Sequence, residues 1–580
     1  MTSSSYTPVP NRSPRASANR TVEVATLAAL APFLLLVLVF VFAGLTGHDP
    51  WKADEAYIFG IIHSILDEGS WLVPMLAGEP FMEKPPLYAW CAALLVRLLA
   101  GVPSEPDAAR LVSGCFMVMT CGAVAVAARN WWGDGMGRFA PIMLIACLGL
   151  TVQSHMMMPD VPLLTAFACG AWAFSVIRTR PGQGGLLLGL ATGIGFLSKG
   201  LLGPGVLGLT ALLLPICFRQ WRNRQYFSGL ATALCVAFPM LTVWPALLYL
   251  RSPELFHTWF WDNNFGRYFG FAAARHGTEH EPFFWLQTLP WFAFPALPLA
   301  LLVTWQRRRE FATNAGLQCG VLMSGVTMLV LSTSASARAV YAMPLLVPLA
   351  ILATPSVQML RTAAARLWVM SSVLLFGALA GTVWVGWLLM MTTGAPPQWP
   401  WLTRLLPADY IPNPQPFALL VAAAATAAAM LIVFHPRMAH SQGRPLLVWT
   451  AGVALVWTLL STLWMPWLDY AKSYRTVFEN IPWPASYRCI ASINLGESER
   501  AMLDYYTDRV TERQENGAGA GCDLMLLQGY APKGIEGIDS QRWQLAWTGA
   551  RPGDTWQQFW LFRAKSAAKQ TAATSEPYGD

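Results

Sequence analysis

Long apolar runs separated by short polar stretches fill most of the chain up to residue 468. Runs of roughly 17–25 residues, or nearly so, are of membrane-crossing length. They fall near Val24–Leu45, Leu111–Ala128, Phe139–Ser154, Val161–Ile177, Gly184–Leu197, Leu201–Phe218, Tyr226–Leu250, Phe284–Trp305, Ala315–Leu331, Val340–Ala353, Leu367–Met391, Pro416–Phe434 and Leu446–Leu463. The pattern predicts an all-α polytopic membrane protein with about thirteen transmembrane helices. Leu87–Ala100 is shorter, follows Pro85-Pro86 and carries Arg97. It reads as a juxtamembrane or re-entrant helix in the first long loop.

The basic residues arbitrate that reading. With Leu87–Ala100 not crossing, Arg129/Arg138, Arg178/Arg180, Arg219/Arg222/Arg224, Arg307/Arg308/Arg309, Arg361/Arg366 and Arg437/Arg444 share one side with Arg12, Arg15 and Arg20. Basic loops mark the cytoplasmic face. The expected N-terminus is therefore cytoplasmic and the C-terminus external. The external side receives Thr46–Pro86, His155–Asp160, Ser198–Gly200, Arg251–Pro282, Ser332–Arg338 and Thr392–Gln415. These loops carry most of the acidic residues that precede the tail, so function is expected on that face.

Three domains follow. Residues 1–20 are polar, rich in Ser, Pro and Arg, and read as a disordered cytoplasmic segment. Residues 21–468 form the membrane domain. Residues 469–580 form a small external α/β domain, with strands expected near Tyr487–Asn494, Asp523–Gln528, Trp543–Trp547 and Gln557–Phe562, and a helix over Glu497–Asp508. Cys489 and Cys522 would both meet an oxidising compartment, where a disulfide is one option.

Composition agrees. Of 580 residues 55% are apolar and only 12% charged, too few charges to clothe soluble cores. The net charge of +7 comes largely from the loop clusters, so no nucleic-acid partner is expected. The ten cysteines show no Cys-x-x-Cys pairing.

Several polar groups then stand out. Asp54-Glu55 opens a helical stretch to Leu66, with Ile58, Ile61, Ile62 and Ile65 on one side. It reads either as an interfacial amphipathic helix or as the mount for a general base. Glu83-Lys84 precedes two prolines, a rigid platform for an anionic group or a solvated turn. Asp160 and Lys199 each stand alone between two apolar runs, where charge is costly. Asn263-Asn264-Phe265-Gly266-Arg267-Tyr268 sits in an aromatic loop that suits a phosphate or an ordinary membrane-interface belt. Arg338 and Tyr341 are three apart, hence on one helix face and able to reach one phosphate. His276, His280 and Glu281 leave room for a divalent metal, though their spacing matches no established ligand pattern.

Asp54-Glu55-Ala56, Gly69-Ser-Trp-Leu-Val-Pro, Gly78-Glu-Pro and Glu83-Lys-Pro-Pro-Leu-Tyr form a connected block. It resembles the start of the bacterial lipid A 4-amino-4-deoxy-L-arabinose transferases and their protein O-mannosyltransferase relatives. The likeness continues through Pro159-Asp160, Ser198-Lys-Gly, Asn264-Phe-Gly-Arg-Tyr, Glu281-Pro-Phe-Phe and Arg338-Ala-Val-Tyr. The resemblance implies a GT-C fold and a glycosyltransferase of the bacterial inner membrane that uses an undecaprenyl-phosphate-linked sugar. The acceptor would be lipid A, another envelope glycolipid or a protein. It implies that Asp54, Glu83 and Asp160 are catalytic-site carboxylates, and that Lys84, Lys199, Arg267, Arg338 and Tyr341 bind the donor and its lipid phosphate. Two departures accompany it: Tyr57 stands where the family often has Arg, and Arg338 where Lys is frequent. A third, Asn264 where some arabinose transferases carry His, leaves the metal unassigned. A transporter or flippase is the rival class, and would place ionisable residues near mid-membrane and show an internal repeat. A membrane scaffold would act through the tail alone.

Overall fold

The computed structural model describes residues 30–271, 283–434, 442–530 and 538–565. The expected disordered N-terminus and the His276, His280 and Glu281 group lie outside the described residues.

Every expected apolar run that is described falls on helix. Helix α1 is Leu30–Phe42, α2 is Ala53–Asp67, α3 is Leu87–Leu98 and α4 is Glu105–Trp132. Helix α4, Asp160–Val176, Pro181–Lys199 and Arg224–Arg251 pack in succession, each against the next. Glycine lets the last two approach closely. Gly185, Gly189 and Gly193 line one face of Pro181–Lys199, and a Cβ on Gly189 would stand 2.6 Å from Val236 Cβ. Small residues every fourth position are a recognised way for membrane helices to meet. The Met343–Ala353 helix is buried along its whole length. Pro416–Phe434 buries only Ala422 and faces lipid.

By length and composition, seven described helices can cross a membrane unbroken, and eight if a bent pair counts as one span. The other runs are shorter helices, broken ones or, for the 19-residue Pro181–Lys199, a helix long enough but not apolar enough to count. The expected single span Phe284–Trp305 is two helices, Phe284–Phe292 and Ala296–Gln306, bent by 92°. The run Phe139–Ser154 is likewise split, into Phe139–Ile145 and Leu150–Gln153. The breaks answer each other: Leu148 N donates to Phe294 O at 3.2 Å and Gly149 N to Phe292 O at 2.9 Å. Backbone groups freed at membrane depth must find internal partners, and these do. Gly149 is required there, because a Cβ would enter the Phe292 ring.

Helix α3 behaves as expected. Its 12 residues reach only about 18 Å. Tyr88, near its start, bonds Ala109 O and Ser113 Oγ near the start of α4, so the chain leaves and re-enters the bundle at one end.

Helix α2 departs from the interfacial reading. Ile58, Ile61, Ile62 and Ile65 are buried, but so are Ala56, Phe59 and Gly60. Its other side is covered by the Glu497–Thr507 helix of the C-terminal unit. A Cβ on Gly60 would lie 2.6 Å from Ala501 Cβ. After the β1–β2 hairpin that follows α2 (Met75–Leu76 and Glu79–Pro80), that unit supplies β3 Ile490–Ile493, β4 Glu512–Arg513, β5 Leu524–Tyr530, β6 Trp543–Gly549 and β7 Gln557–Ala564, a five-stranded sheet in the order β4-β3-β5-β7-β6. Strands β3, β4 and β5 run parallel, and β7 runs antiparallel to β5 and β6. The short edge strand β4 had no sequence signal. Cys489 and Cys522 form a disulfide ahead of the adjacent strands β3 and β5.

The docked helices place Asp504 among His63, Glu68, Asp508 and Asp67. Burial, opposed by His63 and helped by the three carboxylates, pushes Asp504 up to about 6. A raised acid penalises the folded state once ionised, so stability falls as pH rises from the ordinary 3.8 through about 6. Asp504→Asn is expected to raise stability by about 1–2 kcal/mol at pH 8, allowing for solvent screening, and to change little at pH 4. Thermal unfolding in detergent at the two pH values measures this.

Candidate active site

The first turn of α2 sends two adjacent carboxylates apart, since neighbouring helix positions are about 100° apart. Glu55 turns inward. It accepts from Arg110 Nε at 2.7 Å and from Met157 N at 3.4 Å. Arg110 is fully buried in α4 and also donates to His48 O at 2.8 Å and Asp107 Oδ1 at 3.2 Å. This pair ties the loop before α2 to α4 and to the segment before Asp160. Sequence reasoning missed Arg110, although one Arg inside a long apolar helix is itself a signal.

Asp54 turns the other way and meets Arg338. Both guanidinium Nη atoms reach its carboxylate, Nη1 to Oδ1 at 3.2 Å and Nη2 to Oδ2. Tyr57 Oη donates to Asp54 Oδ1 at 3.0 Å, and Lys84 Nζ donates to Tyr57 Oη at 2.7 Å. Lys84 lies 3.8 Å from Glu83 Oε2, which accepts from Arg267 Nη1 at 3.2 Å. Asp160, the first residue of its helix, pairs with Lys199, the last of the neighbouring antiparallel helix. Each charge thus sits at the helix end whose dipole favours it. Lys199 Nζ also stands 4.2 Å over the Tyr341 ring.

Two local backbones set the remaining groups. Thr258–Gly266 is a π-helix, a form often found at functional sites. Within it, Asn264 Nδ2 donates to Trp259 O at 2.8 Å and Asn263 Nδ2 to Met82 O at 3.0 Å, which fixes Arg267 beside the Glu83 loop. Arg338 has an extended backbone, and Ala339–Ala342 is a 3₁₀ turn. Arg338 and Tyr341 therefore do not share an α-helical face: Arg338 faces Asp54, while Tyr341 lines the cavity described next.

A cavity of about 390 Å³ opens beside the cluster. Glu83, Lys84, Lys199, Arg267 and Tyr341 form its polar end, and Leu201, Leu209, Phe265, Phe269, Val330 and Leu331 its apolar walls. Asp54, Asp160 and Arg338 stand behind or beside it. Burial alone would raise the Asp54 carboxyl, but the Arg338 hydrogen bonds and charge, helped by Lys84 and Tyr57, hold it below the usual carboxylate range. Burial would lower Lys84, but Tyr57, Glu83 and Asp160 outweigh it, and the ammonium stays charged.

Among the described residues, the one His/Cys/Asp/Glu group close enough for a metal is Cys489, Glu512 and Cys522. Its two sulfurs are joined in the disulfide, which removes the thiolates a metal would need.

Comparison with known proteins places this arrangement. Residues 83–244 match the family described as dolichyl-phosphate-mannose-protein mannosyltransferase. An undecaprenyl phosphate-alpha-4-amino-4-deoxy-L-arabinose arabinosyl transferase of Sodalis glossinidius is 27% identical over 336 residues, 56% of this chain and 58% of that protein. One from Pseudomonas aeruginosa is 29% identical over 332 residues, 55% of this chain and 58% of the relative. The matches thus span a little over half the length of these curated relatives. The crystal structure of ArnT from Cupriavidus metallidurans bound to undecaprenyl phosphate superposes with a TM-score of 0.66 at 18% identity, over 92% of this chain and 98% of that one. Its apo form gives 0.65. The chain is a multi-pass membrane protein with the GT-C fold. Within that class its architecture is of the ArnT type, with a small C-terminal sheet domain.

The buried Glu55–Arg110 pair should be a main support of the site. Removing one member of such a pair costs about 3–5 kcal/mol, because the other charge is left uncompensated. Asp107 Oδ1, 3.2 Å from Arg110, still faces the guanidinium in Glu55→Gln, which is therefore expected to lose about 3 kcal/mol, the low end of that scale, whereas the double replacement Glu55→Leu with Arg110→Met should lose less. Unfolding of the purified variants in detergent compares them.

Proposed function

We propose that the chain is a glycosyltransferase that moves a sugar from an undecaprenyl-phosphate-linked donor to an envelope acceptor. The observation that carries this reading is the cavity. An anionic head belongs among Lys84, Lys199 and Arg267, and a polyprenyl tail belongs along Leu201, Leu209, Val330 and Leu331. A soluble nucleotide sugar would have no use for the apolar walls. The matched relatives, whose names carry the same lipid phosphate, support the same donor class.

In this reading the bond between the anomeric carbon and the phosphate oxygen breaks. Negative charge grows on the departing lipid phosphate, where Lys84 and Arg267 receive it, with Tyr341 and Lys199 beside them. The acceptor oxygen attacks from the opposite face, which inverts the anomeric centre. Asp54 stays ionised at neutral pH and orients the acceptor. A hydroxyl acceptor would give its proton toward Asp54, whereas a phosphate acceptor arrives already ionised. Glu83 and Asp160 hold Arg267 and Lys199 in place. The charges pair with one another at one end of the bundle, which argues against a transport path through mid-membrane.

The same reading places the site at the outer leaflet of the bacterial inner membrane, with the N-terminus cytoplasmic and the sheet domain periplasmic. Two features support it. Basic loops gather at the end remote from the cluster, where Arg178 stacks on Trp221 and Arg307 on Trp132. The Cys489–Cys522 disulfide belongs in an oxidising compartment. Thiol labelling of unreduced, denatured protein from native membranes should therefore miss Cys489 and Cys522. Both should label after reduction, and labelling of both without reductant would place the domain in the cytoplasm.

Transfer itself is measured with purified protein, synthetic polyprenyl-phosphate sugars and lipid A, other envelope lipids or protein as acceptors. Asp54→Asn and Lys84→Ala are each expected to lower the rate by about 10²–10³-fold with folding intact. Unchanged transfer in both would overturn the site.

A further inference from the structure

Tyr57 joins the Asp54–Arg338 pair to the Glu83–Lys84–Arg267 group. Its ring is buried, packed on Phe81 at 5.3 Å between centroids. Only its oxygen meets the polar cluster, and hydrogen-bond arithmetic fixes what that oxygen does. An ammonium can only donate, so Tyr57 Oη accepts from Lys84 Nζ at 2.7 Å. A phenol has one proton, and the carboxylate at 3.0 Å can only accept it. Burial keeps the phenol protonated across the physiological range, despite the nearby ammonium. The link therefore has one direction, from Lys84 through Tyr57 to Asp54.

This direction has consequences at both ends. Lys84 spends one N–H on Tyr57 and turns the rest toward Glu83 and the cavity. Asp54 Oδ1 accepts from both Tyr57 and Arg338 Nη1, and Oδ2 from Arg338 Nη2. A carboxylate offers about four lone-pair positions. Three are used here, so the carboxylate is locked in rotation with Oδ2 presenting the remaining one.

Resting on the glycosyltransferase reading above, we propose that Tyr57 is a positioning residue that orients both reacting partners through one hydroxyl. It aims the Lys84 ammonium at the donor phosphate and fixes the face that Asp54 turns to the acceptor. Without that oxygen, Lys84 loses its closest partner and is drawn toward Glu83, whose Oε2 lies 3.8 Å away and already binds Arg267. The donor phosphate would then lose an aligned cation, and Asp54 would lose a donor that favours its ionised form. The charged groups that bear on this pair are Arg338, Lys84 and Glu83.

The test is Tyr57→Phe, which keeps the ring on Phe81 and removes one atom. Two readouts are taken on purified protein: binding of undecaprenyl phosphate, followed by thermal shift in detergent, and transfer from a polyprenyl-phosphate sugar across pH. A hydrogen bond to a charged group corresponds to about 10–100-fold. Binding is expected to weaken by about that factor, kcat to fall by a similar one, and the acid limb of the kcat profile to move to higher pH. A packing role alone would lower the melting temperature without moving that limb. Wild-type transfer with unchanged binding and acid limb in Tyr57→Phe overturns this inference and leaves the glycosyltransferase reading intact. Wild-type binding without transfer to any acceptor removes that reading, while the binding comparison still decides Tyr57. No binding by the wild type removes both.

Discussion

Desolvation of charge is the constraint on which this architecture depends. Asp54, Glu83 and Asp160 share one partly buried end of the bundle with Lys84, Lys199, Arg267 and Arg338, and an unpaired charge in such a place costs several kcal/mol. Pairing meets that cost for each carboxylate and leaves one positive charge in excess within the group. The excess lies toward the cavity, where Lys84, Lys199 and Arg267 all contribute to the lining. That end is complementary to an anionic head and the adjoining walls to an apolar tail, which is the basis of the donor proposed above.

The scaffold around the site serves the same constraint. Asp54 is held at the start of α2, and α2 is gripped from two sides. The buried Glu55–Arg110 pair fixes it to the bundle, and Ser498 Oγ reaches Ala53 O at 3.0 Å from the C-terminal helix. Arg500 adds bonds to Glu79 Oε2 at 3.0 Å and Ala77 O at 3.2 Å, in the β1–β2 hairpin, Met75–Leu76 with Glu79–Pro80, that leads to Glu83. Arg475 holds Asp49 Oδ1 at 2.7 Å ahead of α2. The sheet domain is therefore a brace for α2 and for the loop that carries Glu83 and Lys84. That explains why a helix expected at the lipid surface is buried almost all round.

Much of this was legible in the chain. Asp54, Glu83, Lys84, Asp160, Lys199, Arg267, Arg338 and Tyr341 do come together, because short loops between spans leave their residues few places to go. The α/β tail was readable from alternation, and its strands match within a few residues. The rest depended on partners distant in sequence. The breaks at Gly149 and Phe292–Phe294 satisfy each other's backbone, which neither segment alone could reveal. Arg338 and Tyr341 diverge because the turn between them is 3₁₀, with an extended residue before it. Arg110 belongs to no motif; its lone charge in an apolar helix is a signal, but its partner Glu55 is visible only in the structure.

The two positions that depart most plainly from the arabinose-transferase pattern, Tyr57 and Arg338, turn out to touch the same carboxylate. An arginine at position 57 would bring a cation to α2 beside Asp54, and could not accept a hydrogen bond from Lys84. With tyrosine there, that cation is missing. Arg338 brings one from the opposite side of the site, and its planar fork grips both carboxylate oxygens as a lysine could not. Position 338 is cationic in either form, so one cation fewer stands near Asp54; the two-pronged Arg338 contact and the Tyr57 hydroxyl hold the carboxylate instead, and that hydroxyl links the two halves of the cluster. The two residues hold one carboxylate between them.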